Sequence, residues 1–296
     1  MARAKKGRID LQHSTCLICS GQSFAPKLHQ CADLYLRTRY VVDYGVCTTC
    51  GLVQQTPVPS STGEFYPTSY PMHHSRGGLF MLARKMLIRG CYFEPAPSDA
   101  DKTLLDFGCG DGSYLESIKG KVGRRIGFEA APGQARQVGA QLGISVTSTH
   151  DDTATVPDAS VDILSAHFVM EHLTDLEGAF AFWRRALKPG GRLHLAIPNI
   201  DCLEARLFGK KWHGLDSPRH ISFPSADNMA TLAERHGFKI VRRSWGVFPN
   251  TWAASLATVV TGHYISKLFM LMMPVGVVLS WLMPQSTAVY ALVKLD

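Results

Sequence analysis

From residue 103 onward, short apolar runs alternate with amphipathic stretches, and this alternation predicts most of the fold. Strands are expected at "TLLDFG" (103–108), "RRIGFEA" (124–130), "ISVTST" (144–149), "SVDILSAHFVM" (160–170, running into a loop), "RLHLAIPN" (192–199), "FKIVRRSW" (238–245) and "TAVYALVKL" (287–295). Helices are expected at "SYLESIKGK" (113–121), "GQARQVGAQLG" (133–143), "DLEGAFAFWRRAL" (175–187, stopped by "KPGG") and "SADNMATLAERHG" (225–237). Strands alternating with helices at this spacing predict an α/β fold: a doubly wound, mostly parallel, Rossmann-like sheet of seven strands. Four zones follow: 1–60, carrying two cysteine pairs; 61–100, a bridge with an amphipathic helix in "LFMLARKMLIRGCYF" and a linker "EPAPSDADK"; 101–250, the alternating domain; and 251–296, a hydrophobic segment plus the last strand.

The first strand of the alternating domain runs into "LLDFGCGDGSYL", where Gly108, Gly110 and Gly112 follow Asp106. Such sheets bind ligands beyond the carboxyl ends of their strands, where this loop would lie, and glycine there lets the backbone approach a ligand. The G-x-G-x-G spacing differs from the G-x-G-x-x-G dinucleotide fingerprint and has no Gly-Lys-Ser/Thr end for a nucleoside triphosphate. Glu129 closes the next strand, where a carboxylate would accept two ribose hydroxyls.

Composition narrows the picture only a little. The chain has 296 residues, 46% of them hydrophobic and 19% charged, which suits a globular protein of one large domain or two. A net charge of +7 is compatible with nucleic acid, an anionic membrane or an acidic substrate and chooses none. The start, "MARAKKGRID", is basic without a following apolar run and does not read as a secretory signal. Eight cysteines, four of them in C-x-x-C pairs, fit a reducing cytoplasm and metal binding better than disulfides. Cys16 and Cys19 in "CLIC" and Cys47 and Cys50 in "CTTCG" can complete a tetrahedron around a structural Zn²⁺, making residues 1–60 a zinc-ribbon-like module, with Gly51 in the second turn.

The glycine loop together with "VPDASVDILSAHFVMEHLTD" and "WRRALKPGGRLHLAIPN" resembles the class I S-adenosylmethionine-dependent methyltransferases, particularly small-molecule enzymes similar to ubiquinone O-methyltransferases, over about residues 100–245. The resemblance implies S-adenosylmethionine as cofactor. Asp106 and Gly108, Cys109, Gly110 and Gly112 would lie beside its methionine part and Glu129 would hold the ribose. Asp151 or Asp152 would meet the adenine, and His167 and Phe168 would lie along the cofactor. Glu171 and His172 match the "EH" element of that loop. The later insert "GKKWHGLDSPRHISFPS" would cover the pocket, with Trp212, Asp216 and Arg219 facing the acceptor and Arg219 holding an anionic group. His220 is the first choice of general base, then His213 and His172.

Two uses are open for the apolar run 268–283, which is too short for a spanning helix: a lid or homodimer face, or a peripheral dip into the inner face of the membrane with Lys267 at its edge. The leading expectation is methyl transfer to a small-molecule, lipid-linked or sugar-linked acceptor, at oxygen, with carbon or nitrogen of a sugar or natural product as alternatives. A ribosomal or transfer RNA methyltransferase gripping RNA through the cysteine module is the rival. It is disfavoured because "IPN" replaces an Asn-Pro-Pro-Tyr-type element and the module lacks a dense run of arginines and aromatics.

Overall fold

The structure is a computed structural model that describes residues 14–66, 88–148 and 156–296. Most of the predicted bridge helix, and Asp151 and Asp152, lie outside these residues. Strands β1 (Phe24–Ala32), β2 (Val41–Cys47) and β3 (Val53–Gln55) form an antiparallel sheet completed by a strand from far along the chain, β9 (Ser222–Phe223). The cysteine module is therefore not closed within residues 1–60: its fourth strand comes from the insert.

The larger sheet contains β4 (Thr103–Phe107), β5 (Arg124–Phe128), β6 (Ser145–Thr147), β7 (Val161–His167), β8 (Leu187–Pro198), β10 (Phe238–Gly246) and β11 (Thr287–Lys294). Its order is β10-β11-β8-β7-β4-β5-β6, and only β11 runs against its neighbours. The expected seven strands are present. Because β11 pairs with β8 and β10 inside the sheet, a domain edge at residue 250 would cut the sheet in two.

Alternation along the strands assigns their two faces. Leu105, Phe107, Leu164, Ala166, Leu193 and Leu195 point into one core, closed by α3 (Leu176–Ala186) and α5 (Ala226–Arg235). On α3, Leu176, Ala179, Phe180 and Trp183 are buried at helical spacing, and the Asp175 carboxylate caps the helix by accepting the Gly178 N–H at 2.8 Å. Leu104 and Ile163 point the other way, into a core shared with α1 (Ser113–Ser117) and α2 (Pro132–Leu142). Asp106, Ser165 and His167 have the same parity, so these polar groups share that second face.

Between β10 and β11 the hydrophobic segment folds as two helices, α6 (Pro249–Thr261) and α7 (Ser266–Leu282), packed together where Gly276 meets the Pro249 carbonyl and Ala253. A Cβ at Gly276 would stand 2.7 Å from that carbonyl oxygen. No described helix is long and apolar enough to cross a membrane. The outer side of α7 remains exposed at Met270, Leu271, Val278, Trp281 and Leu282.

Helix α4 (Leu203–Phe208) is pinned to α6 by a buried carboxylate, Glu204, which accepts hydrogen bonds from Thr251 Oγ1 (3.0 Å), Ser255 Oγ (3.1 Å) and Ser286 Oγ (2.6 Å). Burial pushes Glu204 up to about 7, against the pull of these hydroxyls. The folded chain therefore keeps this proton where an unfolded glutamate has lost it. The site's contribution to stability is full below the ordinary value of 4.5 and is lost as pH rises through about 7. Glu204→Gln should accordingly gain melting temperature relative to the wild type between pH 5 and 8, by up to about 3 kcal/mol in stability. Parallel melting curves across that range would contradict the assignment.

Candidate active site

The three glycines of the loop after β4 all have positive φ, between +55° and +78°, a region other residues enter at a cost. Gly108 is also sterically fixed, since a Cβ there would lie 2.4 Å from Val169 Cγ2; at Gly112 it would strike Val138 and Leu142. Gly110 is different: nothing stands within 4 Å of its Cβ position, so the loop presents bare backbone to open space. Its N–H donates to Glu129 Oε2 at 3.0 Å, and Glu129 Oε1 accepts the Ala131 N–H at 3.1 Å. A carboxylate offers about four acceptor positions, so two remain for a pair of vicinal hydroxyls. An open glycine backbone beside a half-used carboxylate fits the ribose and adjacent chain of S-adenosylmethionine.

Asp106 and Cys109 do not meet the opening with their side chains. Asp106 is buried, accepts Ser165 Oγ at 2.7 Å and stands 3.9 Å from His167 Nδ1. Burial pushes its carboxyl up to about 7, opposed by the Ser165 hydroxyl. The Cys109 side chain turns in against Gly127, leaving only its backbone on the loop side. His167 accepts the Phe93 N–H at Nε2 (3.1 Å), and burial, then His194, lowers it to about 3, so it is a neutral, positioned ring. Phe168 has φ +58°, uncommon for a bulky residue, and its ring packs on Phe248 at 5.0 Å. That turn presents Val169 to Gly108 and carries the chain into Glu171 and His172. A cleft of about 1160 Å³ adjoins this region, lined by Asp111, Gly112, Tyr114 and His167 at one end and by Ser244, Val289 and Ala291 of β10 and β11 at the other.

The insert is rearranged from the expectation. Arg219 is fully buried and its guanidinium is occupied on two sides. Nη1 and Nη2 donate to Asp33 at 2.9 Å each, while Nε and Nη2 donate to Asp216 at 3.0 and 2.7 Å. Burial alone would raise Asp216, but Arg219 more than reverses it and holds the carboxylate at about 2. Neither residue is therefore available to an acceptor; both tie the insert to the cysteine module. Trp212 is likewise a core side chain, packed on Phe223. The His213 ring packs against Tyr35 (5.5 Å) and Tyr264 (5.8 Å), whose rings also meet each other (4.9 Å), and it is not part of the cluster that holds the other two histidines.

His220 and His172 do come together, with rings 4.6 Å apart beside Glu171. His220 Nδ1 is 2.8 Å from the Gly214 carbonyl, and burial, then His172, lowers it to about 3. Such a ring is a weak proton acceptor, which removes the main reason for choosing His220 as general base. His172 Nδ1 is within 2.9 Å of the Tyr66 hydroxyl and 3.0 Å of the Arg219 carbonyl. Sequence reasoning did not find Tyr66 or Asp33, because each stands in a stretch with no spacing or motif to mark it.

Cys16 and Cys50 have Sγ atoms 3.4 Å apart, Cys19 and Cys47 are 3.5 Å apart, and one sulfur from each of the four lies within 4.8 Å of the rest. Four thiolates at about 2.3 Å from one ion would be about 3.8 Å from one another, so this arrangement can hold a tetrahedral metal. Gly51, at φ +75°, makes the turn after Cys50. The cluster rests on α5, where Asn228 Nδ2 donates to the Cys50 carbonyl (2.8 Å) and Arg235 Nη1 to that of Ile18 (2.8 Å).

Known proteins resemble this chain. A methyltransferase-domain family profile matches residues 83–243, more than half of the chain, and the chain belongs to that family. The class it defines, with the loop and sheet described above, is the class I S-adenosylmethionine-dependent methyltransferases. Relatives include a malonyl-[acyl-carrier protein] O-methyltransferase of Hahella chejuensis, 29% identical over 162 residues (49% of this chain, 52% of that one). A probable S-adenosylmethionine-dependent methyltransferase of Mycolicibacterium smegmatis is 30% identical over 162 residues (53% and 59%). A ubiquinone biosynthesis O-methyltransferase of Hahella chejuensis is 31% identical over 104 residues (33% and 44%). The chain thus spans about half the length of the relatives it matches. Among solved structures, phosphoethanolamine N-methyltransferase 2 of Haemonchus contortus has a TM-score of 0.53 at 14% identity, covering 82% of this chain and 63% of that one, a likeness of fold. Glu129→Ala should lower S-adenosylmethionine affinity at least about tenfold, the worth of a hydrogen bond to a charged group, while the melting temperature barely moves. Unaltered affinity by calorimetry would exclude Glu129 from the cofactor site.

Proposed function

We propose that this chain transfers a methyl group from S-adenosylmethionine to an oxygen of a small-molecule, lipid-linked or sugar-linked acceptor. The observation that carries the cofactor half is the Glu129 carboxylate, held by two backbone N–H groups beside the open backbone of Gly110. Bound S-adenosylmethionine supplies an already activated methyl. What remains for the chain is to orient the two partners and exclude water. Oxygen as the receiving atom is supported by the relatives whose names are O-methyltransferases of malonyl-acyl carrier protein and of ubiquinone biosynthesis.

An apolar acceptor, met at a membrane surface, is supported by the outer side of α7. Met270, Leu271, Trp281 and Leu282 are each more than half exposed there, and from 249 to 295 the chain has two lysines and no acidic residue. We also propose that Cys16, Cys19, Cys47 and Cys50 hold a structural zinc ion whose work is to fix the module against α5 and the insert. No fifth ligand stands with the four sulfurs among the described residues, which suits a closed structural site.

The experiment is to incubate cell extract with the protein and methyl-labelled S-adenosylmethionine and separate organic-soluble, aqueous and RNA fractions. The reading predicts label in an organic-soluble compound as a base-stable ether or a base-labile ester, and one zinc per chain by metal analysis. Label in RNA alone, or none in a preparation that binds the cofactor, contradicts the acceptor assignment. A folded chain without zinc contradicts the metal assignment.

A further inference from the structure

We infer that Glu171, His172 and His220 bind one divalent transition-metal ion at the edge of the cofactor loop. Each offers a donor atom, and the three donors lie within 4.8 Å of one another. The two imidazoles are prepared in the way metal-bound histidines usually are. One nitrogen of each faces a backbone carbonyl: His220 Nδ1 that of Gly214 (2.8 Å), and His172 Nδ1 that of Arg219 (3.0 Å), beside the Tyr66 hydroxyl (2.9 Å). With the proton on Nδ1, each ring has its lone pair on Nε2. His220 Nε2 stands 3.9 Å from Glu171 Oε1 and equally far from Asp216 Oδ2, which Arg219 already occupies.

Glu171 supplies the second, independent observation. Its side chain is 1% exposed, and neither carboxylate oxygen has a hydrogen-bond partner among the described residues. A buried carboxylate without a donor is costly, and native proteins rarely leave one. Arg219 does not relieve it, being committed to Asp33 and Asp216. The backbone around Glu171 is nevertheless firmly held, since its carbonyl accepts the Ile221 N–H and joins the "EH" loop to the insert. The carboxylate is thus positioned by its surroundings and supplied with no partner among the described residues. A dication among two neutral imidazoles and this carboxylate satisfies all three groups together.

The donor set selects the kind of ion. Two nitrogens and one carboxylate suit Mn²⁺, Fe²⁺, Co²⁺ or Zn²⁺ better than Mg²⁺ or Ca²⁺, which favour all-oxygen shells. Three protein ligands also leave coordination positions open, as in reactive rather than structural sites. Val169, two residues before Glu171, packs on Gly108, so the ion would lie near the loop that takes the cofactor. An anionic oxygen of the acceptor suits those open positions. That use rests on the methyl-transfer reading, whereas binding of the ion does not.

The test is a Mn²⁺ titration of the zinc-retaining protein, freed of loosely held metal, with unbound Mn²⁺ read by its electron paramagnetic resonance signal. Neither cofactor nor acceptor is present, so the result stands apart from methyl transfer, and cofactor binding is measured separately by calorimetry. Manganese is a poor thiolate partner and leaves the cysteine cluster out of the readout. The wild type should remove one Mn²⁺ per chain and melt at a higher temperature with the ion. Glu171→Gln and His172→Gln should each weaken uptake at least about tenfold, a minimum set by the effect of losing even an outer partner of a ligand. S-adenosylmethionine binding should persist in both. Should one variant fail to fold, the other carries the same comparison. A wild-type protein that leaves Mn²⁺ free, or folded variants that bind it as the wild type does, would overturn the site.

Discussion

A buried arginine between two carboxylates organises the half of this molecule that is not the sheet. Arg219 joins Asp33, at the end of the cysteine module's first strand, to Asp216 in its own loop, and no part of its side chain reaches solvent. Bidentate pairing of this kind fixes orientation as well as distance, which lysine could not do. Around it, Tyr44 Oη and Gln55 Nε2 donate to the His220 carbonyl, and Ser217 Oγ donates to that of Cys31. The cysteine module is therefore a wall against which the insert is cast, and His220 owes its place beside Glu171 and His172 to that wall.

The arrangement separates two kinds of work. The sheet and its glycine loop leave backbone and one half-used carboxylate open, an arrangement that needs little beyond positive φ and a free acceptor. The module, insert and "EH" loop bring together groups that are 47 to 186 residues apart in the chain. The clasp does not make the chain more stable than an apolar core would; a buried pair often adds little. Breaking it would leave two carboxylates without their shared cation.

What was legible in the sequence follows from how local each cause is. Gly108, Gly110 and Gly112 were readable because a positive φ demands glycine at the position itself. The strands and helices were readable because one buried face imposes a period on consecutive residues. The cysteine pairs were readable because a C-x-x-C spacing sets two sulfurs close together, and the structure brings all four within 4.8 Å. The insert was only half readable. Its crowd of His213, Asp216, Arg219 and His220 stood out, but the sequence carried no sign that Arg219 faces Asp33, 186 residues away, and not an acceptor. For the same reason β9, two residues long, could not be seen as the fourth strand of the first sheet. Tyr66 became visible only when folding set its hydroxyl on His172.

The central claim is that Arg219 couples the cysteine module to the insert, and hydrogen exchange on Arg219→Leu tests it most directly. Removing one partner of such a cluster should cost about 3–5 kcal/mol. The account predicts that amides of β1 and β2 and those of residues 213–223 lose protection together, while β4 and β7 keep theirs. Faster exchange confined to the insert, with β1 and β2 as protected as before, would contradict it.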